Sequence, residues 1–320
     1  MATATVLKGP KSTRGMKASG PIRESGVDRF FLVVTYCFLA IALIIVLYPV
    51  VYIISASISS PKFVSSGEMW LFPKGLTFDG YKLVFENPKI WLGYRNTIVY
   101  TVLGTLLNLL LTIPSAYALS RTDLVGRKLF LALILVTMFF SGGLIPTYLV
   151  VKDLGLVNTL WALILPTGVS VWNLIVARTF FQSSIPKELQ EAAQVDGCSN
   201  TRLFVQIILP LSAPIIAVMT LFYGVNQWNS YFPALIYLND TDKYPLQMVL
   251  RQILVLQEMS AETTGAAISS DIAQAMNNKA EIASLVKYAV IIVSTLPIIV
   301  IYPFVQRYFV QGVMIGSVKG

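Results

Sequence analysis

The chain has 320 residues, of which 55% are hydrophobic and only 12% are charged, and its mean hydropathy is +0.69. These values exclude an ordinary soluble domain, and several continuous apolar runs of about 20 residues predict an all-α polytopic membrane protein rather than a β-barrel. The net charge is +8 and there is no His, which excludes His-based catalysis and His metal sites. Cys37 and Cys198 lie far apart and predict neither a disulfide nor a metal site.

Six apolar runs dominate the sequence, and each is long enough to cross a bilayer as a helix. A polar stretch rich in Gly, Ser and Pro, residues 1–29, precedes them and is predicted to be a disordered tail. The first run lacks a clear cleavage site, which favours an uncleaved span over a signal peptide. We expect a transmembrane domain over residues 30–308 and a second tail over 309–320. The spans are predicted at about residues 30–56, 96–120, 129–151, 160–181, 203–225 and 282–305.

Two long polar segments, residues 57–95 and 239–281, are expected on one side of the membrane. Within the second, the pattern over residues 245–257 indicates an amphipathic helix. Six spans place both termini on the opposite side, which carries most of the 24 Lys and Arg residues. Because basic residues accumulate in cytoplasmic segments, we predict that both termini are cytoplasmic and that the two long segments are external.

Small and polar residues recur inside two of the spans. Four of them follow helical spacing on the second span: Gly104, Asn108, Thr112 and Ser115. We expect this face to point into the helix bundle rather than at lipid.

The third span is broken near residues 141–146 by Gly and Pro, and the freed backbone groups require protein or water beside them.

The polar segment 185–197, between the fourth and fifth spans, predicts a short amphipathic helix. Ser183 and Ser184 are candidates for its N-terminal cap, and Gly197 is placed to end it. Three apolar side chains at spacings of four and three would share one face: Ile185, Leu189 and Ala192. A helix of about 15 Å is too short to span a bilayer, so we expect it at the membrane surface with one face docked.

The same segment carries a motif, Glu-Ala-Ala followed by Gly after three residues and by Ile-x-Leu-Pro after nine more, ending at Pro210. This pattern resembles the EAA loop of ABC importer permeases, and every element of it is present. The resemblance implies a six-helix, type I importer permease fold in which this helix couples to a separate ATPase. The residues that it assigns to coupling are Ile185, Leu189, Glu191, Ala192, Ala193, Asp196 and Gly197. An ordinary amphipathic linker helix is the alternative.

Other segments resemble sugar permeases of the maltose type, specifically the second and shorter permease of such pairs. They are the external stretch 72–81, residues 95–97 at the second span, and the C-terminal stretch 306–312. The resemblance implies a heterodimer with another permease, two ATPase subunits and an external solute-binding protein or lipoprotein. Membrane lipid is a further expected partner, and nucleic acid is not.

The chain lacks the parts for ATP hydrolysis. No Gly-x-x-x-x-Gly-Lys-Ser/Thr sequence occurs, so no backbone cradle for phosphates is predicted. We therefore expect a non-catalytic subunit with no bound cofactor or metal, and ATP and Mg²⁺ used by the partner ATPase. The span interiors contain almost no ionisable side chains, which favours a neutral or weakly charged polar solute.

Aromatic and amide side chains after the fifth span and in the fourth are candidates for a substrate path. Aromatic faces suit the C–H surfaces of a sugar, and amides suit its hydroxyl groups. The candidates are Asn226, Trp228, Asn229, Tyr231, Trp172 and Asn173. The alternative is an interfacial aromatic belt with Asn at a helix end. The family resemblance implies that the partner permease grips most of the sugar.

The sequence thus predicts a permease subunit of an ATP-driven, binding-protein-dependent importer of a sugar or oligosaccharide in a bacterial cytoplasmic membrane. An ABC permease for amino acids or peptides is the first alternative. A membrane enzyme or scaffold has no catalytic constellation to support it, and a passive channel would leave the EAA loop unexplained. The identity and charge of the sugar stay open.

Overall fold

The computed structural model describes residues 25–262, 286–303 and 306. Within these ranges the chain is helical apart from turns and one isolated bridge between Ser59 and Leu76, which confirms the all-α prediction. Most of the predicted N-terminal tail, residues 263–281 of the second long polar segment, the first residues of the sixth span and the tail over 309–320 lie outside the described residues.

The helices of the described residues are short around the polar segments and long in the apolar runs. In chain order they are α1 (Gly26–Ser57), α2 (Pro61–Ser65), α3 (Asp79–Glu86), α4 (Pro88–Ser120), α5 (Arg127–Phe139), α6 (Leu144–Asp153), α7 (Trp161–Ile164), α8 (Val171–Ser184), α9 (Lys187–Val195), α10 (Asn200–Leu203), α11 (Leu209–Leu211), α12 (Ala213–Trp228), α13 (Phe232–Tyr237), α14 (Leu246–Glu262) and α15 (Val286–Pro303). A π-helical turn, Phe204–Ile208, joins α10 to α11.

Three of the described helices, α1, α4 and α15, are long and apolar enough to cross a membrane. Two bent pairs raise the number to five if each pair forms one span: α5 with α6, bent by 113°, and the helical stretch Asn200–Leu211 with α12, bent by 78°. A multi-pass membrane protein is therefore confirmed, whereas the six-span count stays a prediction. The bend between α5 and α6 is exposed. The expected protein cover of its backbone groups is therefore not provided by the described helices of this chain.

The predicted fourth span is not one helix, because the chain breaks between α7 and α8 around Pro166 and Gly168. Proline has no amide hydrogen to donate, so a helix through this point leaves backbone carbonyls unpaired. The side chain of Asn108 on α4 satisfies two carbonyls in the non-helical stretch between α7 and α8: its Nδ2 donates to the carbonyl of Thr167 at 2.7 Å and of Gly168 at 3.2 Å. The neighbouring helix thus stabilises the break, as buried non-helical backbone in a membrane requires.

The chain divides into two compact units, one up to Val51 and one from Tyr52. The first contains most of α1, whose apolar side chains are almost all exposed. The second has two main cores. One is shared by α4, α8, α9 and α12, and the other by α3, α4, α12, α14 and α15. Leu246 and Val249 of α14 are buried in the latter, which confirms the amphipathic helix predicted over residues 245–257.

Candidate functional site

Helix α9 begins differently from the sequence-based expectation. Its N-cap position is Pro186, which makes no side-chain capping hydrogen bond. Ser183 and Ser184 instead form the end of α8, and the hydroxyl of Ser183 donates to the carbonyl of Thr179 at 3.0 Å. The predicted serine cap is therefore wrong, because α8 continues three residues beyond the predicted end of the fourth span and includes both serines.

The end of α9 has the geometry that its sequence predicts. Gly197 has φ +69°, a left-handed conformation that costs a residue with a Cβ about 1–2 kcal/mol. The amide of Gly197 donates to Gln194 at 3.0 Å and that of Cys198 to Ala193 at 2.9 Å. These two bonds form a Schellman motif, which satisfies the last carbonyls of the helix. The role of Gly197 as the helix stop is confirmed.

One face of α9 is buried against the spanning helices. Ile185 and Ala193 are 6% exposed, and Leu189 between them is partly buried in the same core. Leu189 and Ala193 are four residues apart and share one face of α9, and Ile185, extended just before the helix, joins the same core. Ala192 was expected on this face, but it is exposed, because the helix rotates it away from the stripe on which Ala193 lies. The backbone of α9 therefore approaches the bundle at Ala193.

The opposite face of α9 has no cover from the described residues. It carries Glu188, Glu191, Ala192 and Val195, which recur at spacings of three and four, and Asp196 is exposed just beyond the helix. The side chain of Val195 is 88% exposed. The face combines two acidic side chains with an exposed valine and a small alanine. Such a surface suits a groove on another protein that has basic residues at its rim.

An aromatic cluster connects the segment after α9 to the ends of α4 and α8. The ring of Tyr117 on α4 lies 5.6 Å from that of Phe181 and 5.1 Å from that of Phe204. Arg121 donates to the Tyr117 hydroxyl at 3.2 Å and makes two bonds to Asp123, at 2.8 and 2.5 Å. These bonds hold the pKa of the Asp123 carboxyl below its usual value. The cluster fixes the loop after α4 beside the segment that carries α9.

A buried polar network lies between α4, the α7–α8 break and α12. The hydroxyl groups of Thr112 and Tyr223 are 2.7 Å apart, and the Tyr223 hydroxyl accepts from the Ser170 amide at 3.2 Å. Gly104, Asn108 and Thr112 are buried, which confirms most of the predicted polar face of α4. Ser115 is exposed, and the neighbouring Ala116 is buried in its place.

Gln227 also belongs to this network, although it was not among the predicted path residues. Its Nε2 donates to Thr167 Oγ1 at 3.3 Å and to Asn108 Oδ1 at 3.5 Å, and its side chain is 5% exposed. It lies four residues after Tyr223 and therefore on the same face of α12. That spacing could have identified it. Asn226 and Asn229 were predicted instead, because they belong to a polar run after the fifth span.

The predicted path residues on α12 have different environments. Trp228 is buried, packs against Tyr94 with ring centroids 6.2 Å apart, and donates from Nε1 to the carbonyl of Ser294 at 3.1 Å. Asn226 is exposed, and Asn229 donates from Nδ2 to the carbonyl of Val225 at 3.0 Å. Trp228 is thus an anchor between α12 and α15, and Asn229 is a helix-end residue.

The remaining candidates are Tyr231, which follows α12, and the α8 pair Trp172 and Asn173. Tyr231 is 45% exposed and its ring contacts Phe232 edge-on, at 6.4 Å. In the first turn of α8, Trp172 is 62% exposed and Asn173 is buried. Among the described residues no hydrogen bond joins the α8 pair to the residues of α12. The role of these six residues in a substrate path therefore stays a prediction.

A cavity of about 410 Å³ lies between α4, α12 and α15. Its lining is mainly apolar and includes Thr101, Thr105, Thr220 and Gly224. The Thr101 and Thr105 hydroxyl oxygens are buried and have no hydrogen-bond partner among the described residues. The cavity is therefore a mostly apolar space lined by α4, α12 and α15.

Comparison with known proteins agrees with these features. Residues 90–315 match the family described as binding-protein-dependent transport system inner membrane component. Protein LplC of Bacillus subtilis (strain 168) is 44% identical over 299 residues, which cover 93% of this chain and 98% of LplC. The polygalacturonan/rhamnogalacturonan transport system permease protein YtcP of the same organism is 40% identical over 293 residues, covering 92% of this chain and 99% of YtcP.

A solved structure shows the same fold. It is a crystal structure of a bacterial ABC transporter involved in the import of the acidic polysaccharide alginate, and one of its chains superposes with a TM-score of 0.79. The identity is 34%, and the alignment covers 91% of this chain and 100% of that chain. The chain belongs to the family of binding-protein-dependent transport system inner membrane components, which are permease subunits of ABC transporters.

Proposed function

We propose that the chain is a permease subunit of an ATP-driven, binding-protein-dependent importer of a sugar or oligosaccharide. It forms half of the translocation pathway with a second, different permease. Two ATPase subunits bind ATP and Mg²⁺, and an external binding protein delivers the solute. The chain crosses the bacterial cytoplasmic membrane six times, with both termini in the cytoplasm. The observation that carries the proposal is the two-faced packing of α9.

The buried face of α9 supports a mechanical role. Ile185, Leu189 and Ala193 share one core with side chains of α4, α8 and α12. Interiors are close-packed, so a displacement of α9 moves these helices instead of being absorbed by free space. A partner that binds the exposed face, at Glu191, Ala192 and Val195, can therefore shift the spanning helices. ATP-driven closure of such a partner would expose the pathway alternately to the two sides of the membrane.

The solute class is inferred from relatives and from the chemistry of the spans. YtcP is named for polygalacturonan and rhamnogalacturonan transport, and MelC of Bacillus subtilis for melibiose, raffinose and stachyose import. In this chain the buried side chains of α4 and α12 include hydroxyls and amides, among them Asn108, Tyr223 and Gln227. Such groups hydrogen-bond a polyhydroxylated solute without requiring that it carry charge.

Co-purification tests the subunit assignment. The tagged full chain is expressed in its native membrane, extracted in mild detergent, and its bound polypeptides are identified. We expect a second permease and an ATPase, and we expect Glu191→Lys to reduce recovery of the ATPase but not of the permease. Recovery of the chain alone or as its own homomer, even after crosslinking, would contradict the importer and favour a channel or scaffold.

The binding protein from the same complex tests the solute class. Purified binding protein is titrated with mono- and oligosaccharides, amino acids and short peptides. We expect saturable binding of a sugar, followed by sugar-dependent stimulation of ATP hydrolysis in the reconstituted complex. Binding of amino acids or peptides alone would replace the sugar assignment and leave the permease assignment intact.

A further inference from the structure

A cationic pocket lies where α4 and α8 end and α5 begins. Its volume is about 710 Å³, and three basic side chains contribute to its lining: Arg127, Lys128 and Arg178. Leu129 and Leu131 of α5 line the same space. The pocket is therefore basic and apolar at once, and it belongs to the end of the bundle where α8 leads into α9.

No acidic side chain balances these charges in the described part of the chain. The ion pairs there are Arg121 with Asp123 and Lys243 with Asp240. With its amide oxygen turned toward them, Gln182 accepts from Nη2 of Arg127 at 2.6 Å and from Nη2 of Arg178 at 3.0 Å. Two guanidinium groups are thus held side by side on one neutral oxygen. Their mutual repulsion is relieved when an anion binds between them.

Hydrogen bonds fix the position of Arg178. Its Nε donates to the carbonyl of Leu119 at 3.0 Å, near the C-terminus of α4. The guanidinium group is therefore pre-positioned by α4 and by Gln182, and little side-chain entropy remains to be lost on binding. Lys128 is exposed at the rim, where its flexible ammonium group can reach a ligand.

The surface next to the pocket is apolar. Leu129, Leu133 and Val136 of α5 are 62%, 56% and 51% exposed, and they follow one another at spacings of four and three. They form a stripe that leads from the pocket along α5, a helix whose bent pair with α6 is apolar enough to cross a membrane. The chain thus presents cations at the head of an exposed apolar stripe.

We propose that this pocket binds the anionic phosphate headgroup of a membrane phospholipid, with an acyl chain lying along Leu129, Leu133 and Val136. Arginine groups match the paired oxygens of a phosphate, and basic pockets between spanning helices suit such headgroups. The adjoining apolar stripe favours a lipid over free phosphate, which would gain nothing from it. The proposal is independent of the transported solute.

Lipid retention tests the proposal directly. The purified full chain in mild detergent is titrated with dioleoylphosphatidylglycerol or dioleoylphosphatidylcholine, and bound lipid is counted by native mass spectrometry. We expect tight binding of one phosphatidylglycerol and an affinity that falls about tenfold or more in an R127Q/K128Q variant. We expect phosphatidylcholine to bind more weakly and equally to both proteins. Arg202→Gln is the matched control, since that exposed side chain bonds to Gln206 outside the pocket.

Three results would overturn the proposal. One is equal phosphatidylglycerol affinity in the wild type and R127Q/K128Q. Another is displacement of the lipid by inorganic phosphate alone, which would make this a site for a free anion. The third is an equal loss in Arg202→Gln, which would indicate a diffuse electrostatic effect. R127Q/K128Q leaves the bond from Arg178 to Leu119 in place, so we expect this variant to fold. Arg178→Lys keeps the positive charge at its position. Comparing the two variants therefore separates a folding defect from lost lipid binding.

Discussion

The side chain of Gln227 lies directly against Gly104, so that a Cβ on Gly104 would come within 2.9 Å of Gln227 Cδ. Gln227 cannot move aside freely, because its Nε2 is bonded to Thr167 and Asn108. Asn108 in turn holds the carbonyls of the α7–α8 break. The missing side chain on α4 therefore allows Gln227 of α12 to reach the side chain of Thr167 in the α7–α8 break.

We expect Gly104→Ala to lower the free energy of unfolding by about 1–3 kcal/mol, because the methyl group displaces Gln227 and leaves buried polar groups unpaired. The melting temperature of the purified chain in detergent measures this. Gly224→Ala is the matched control on α12, since its Cβ would meet Thr105 Oγ1 at an ordinary 3.7 Å. A Gly104→Ala protein as stable as Gly224→Ala would show that the close contact does not constrain Gln227.

The stop of α9 gives a second prediction. We expect Gly197→Val to reduce uptake and recovery of the ATPase, because φ +69° is strained for a β-branched residue and the Schellman motif is lost. Gly197→Asn is the control, since Asn tolerates the left-handed conformation. Uptake by cells and ATPase co-purification are measured for both variants. Normal values in Gly197→Val would remove the stop of α9 from the coupling mechanism.

The sequence predicted features that depend on local backbone chemistry or on helical spacing. Gly197 ends α9 because a residue without a Cβ adopts a positive φ at little cost, and this is a local property. Asn108 and Thr112 face the bundle because polar groups avoid lipid. Both predictions follow from a single helix and need no knowledge of its neighbours.

The features that the sequence did not predict depend on two or more segments. The fourth apolar run breaks because Asn108, distant in sequence, supplies the donor that makes the break tolerable. Ala193 rather than Ala192 is buried because the rotation of α9 is set by how the chain leaves α8. Trp228 serves as an anchor because α15 presents the carbonyl of Ser294 to it. Spacing within one segment does not contain this information.

The two adjacent alanines of α9 give a third prediction, since Ala192 is exposed and Ala193 is buried. We expect Ala192→Leu to weaken ATPase recovery while leaving the melting temperature of the chain unchanged. Ala193→Leu should instead lower the free energy of unfolding by about 1–3 kcal/mol through overpacking. Thermal unfolding and co-purification of both variants separate the two faces. Equal effects of the two changes would contradict the assigned rotation of α9.

The Tyr223 hydroxyl gives the last prediction, because it joins α12 to both α4 and α8. It lies 2.7 Å from Thr112 Oγ1 and accepts from the Ser170 amide at 3.2 Å. We expect Tyr223→Phe to cost about 1–3 kcal/mol of unfolding free energy, since two buried polar groups lose a partner at once. Tyr231→Phe removes the same atom from an exposed ring and should be neutral. If both variants have the melting temperature of the wild type, the Tyr223 hydroxyl contributes nothing to helix packing. A direct role for Tyr223 in the solute path then explains its position better.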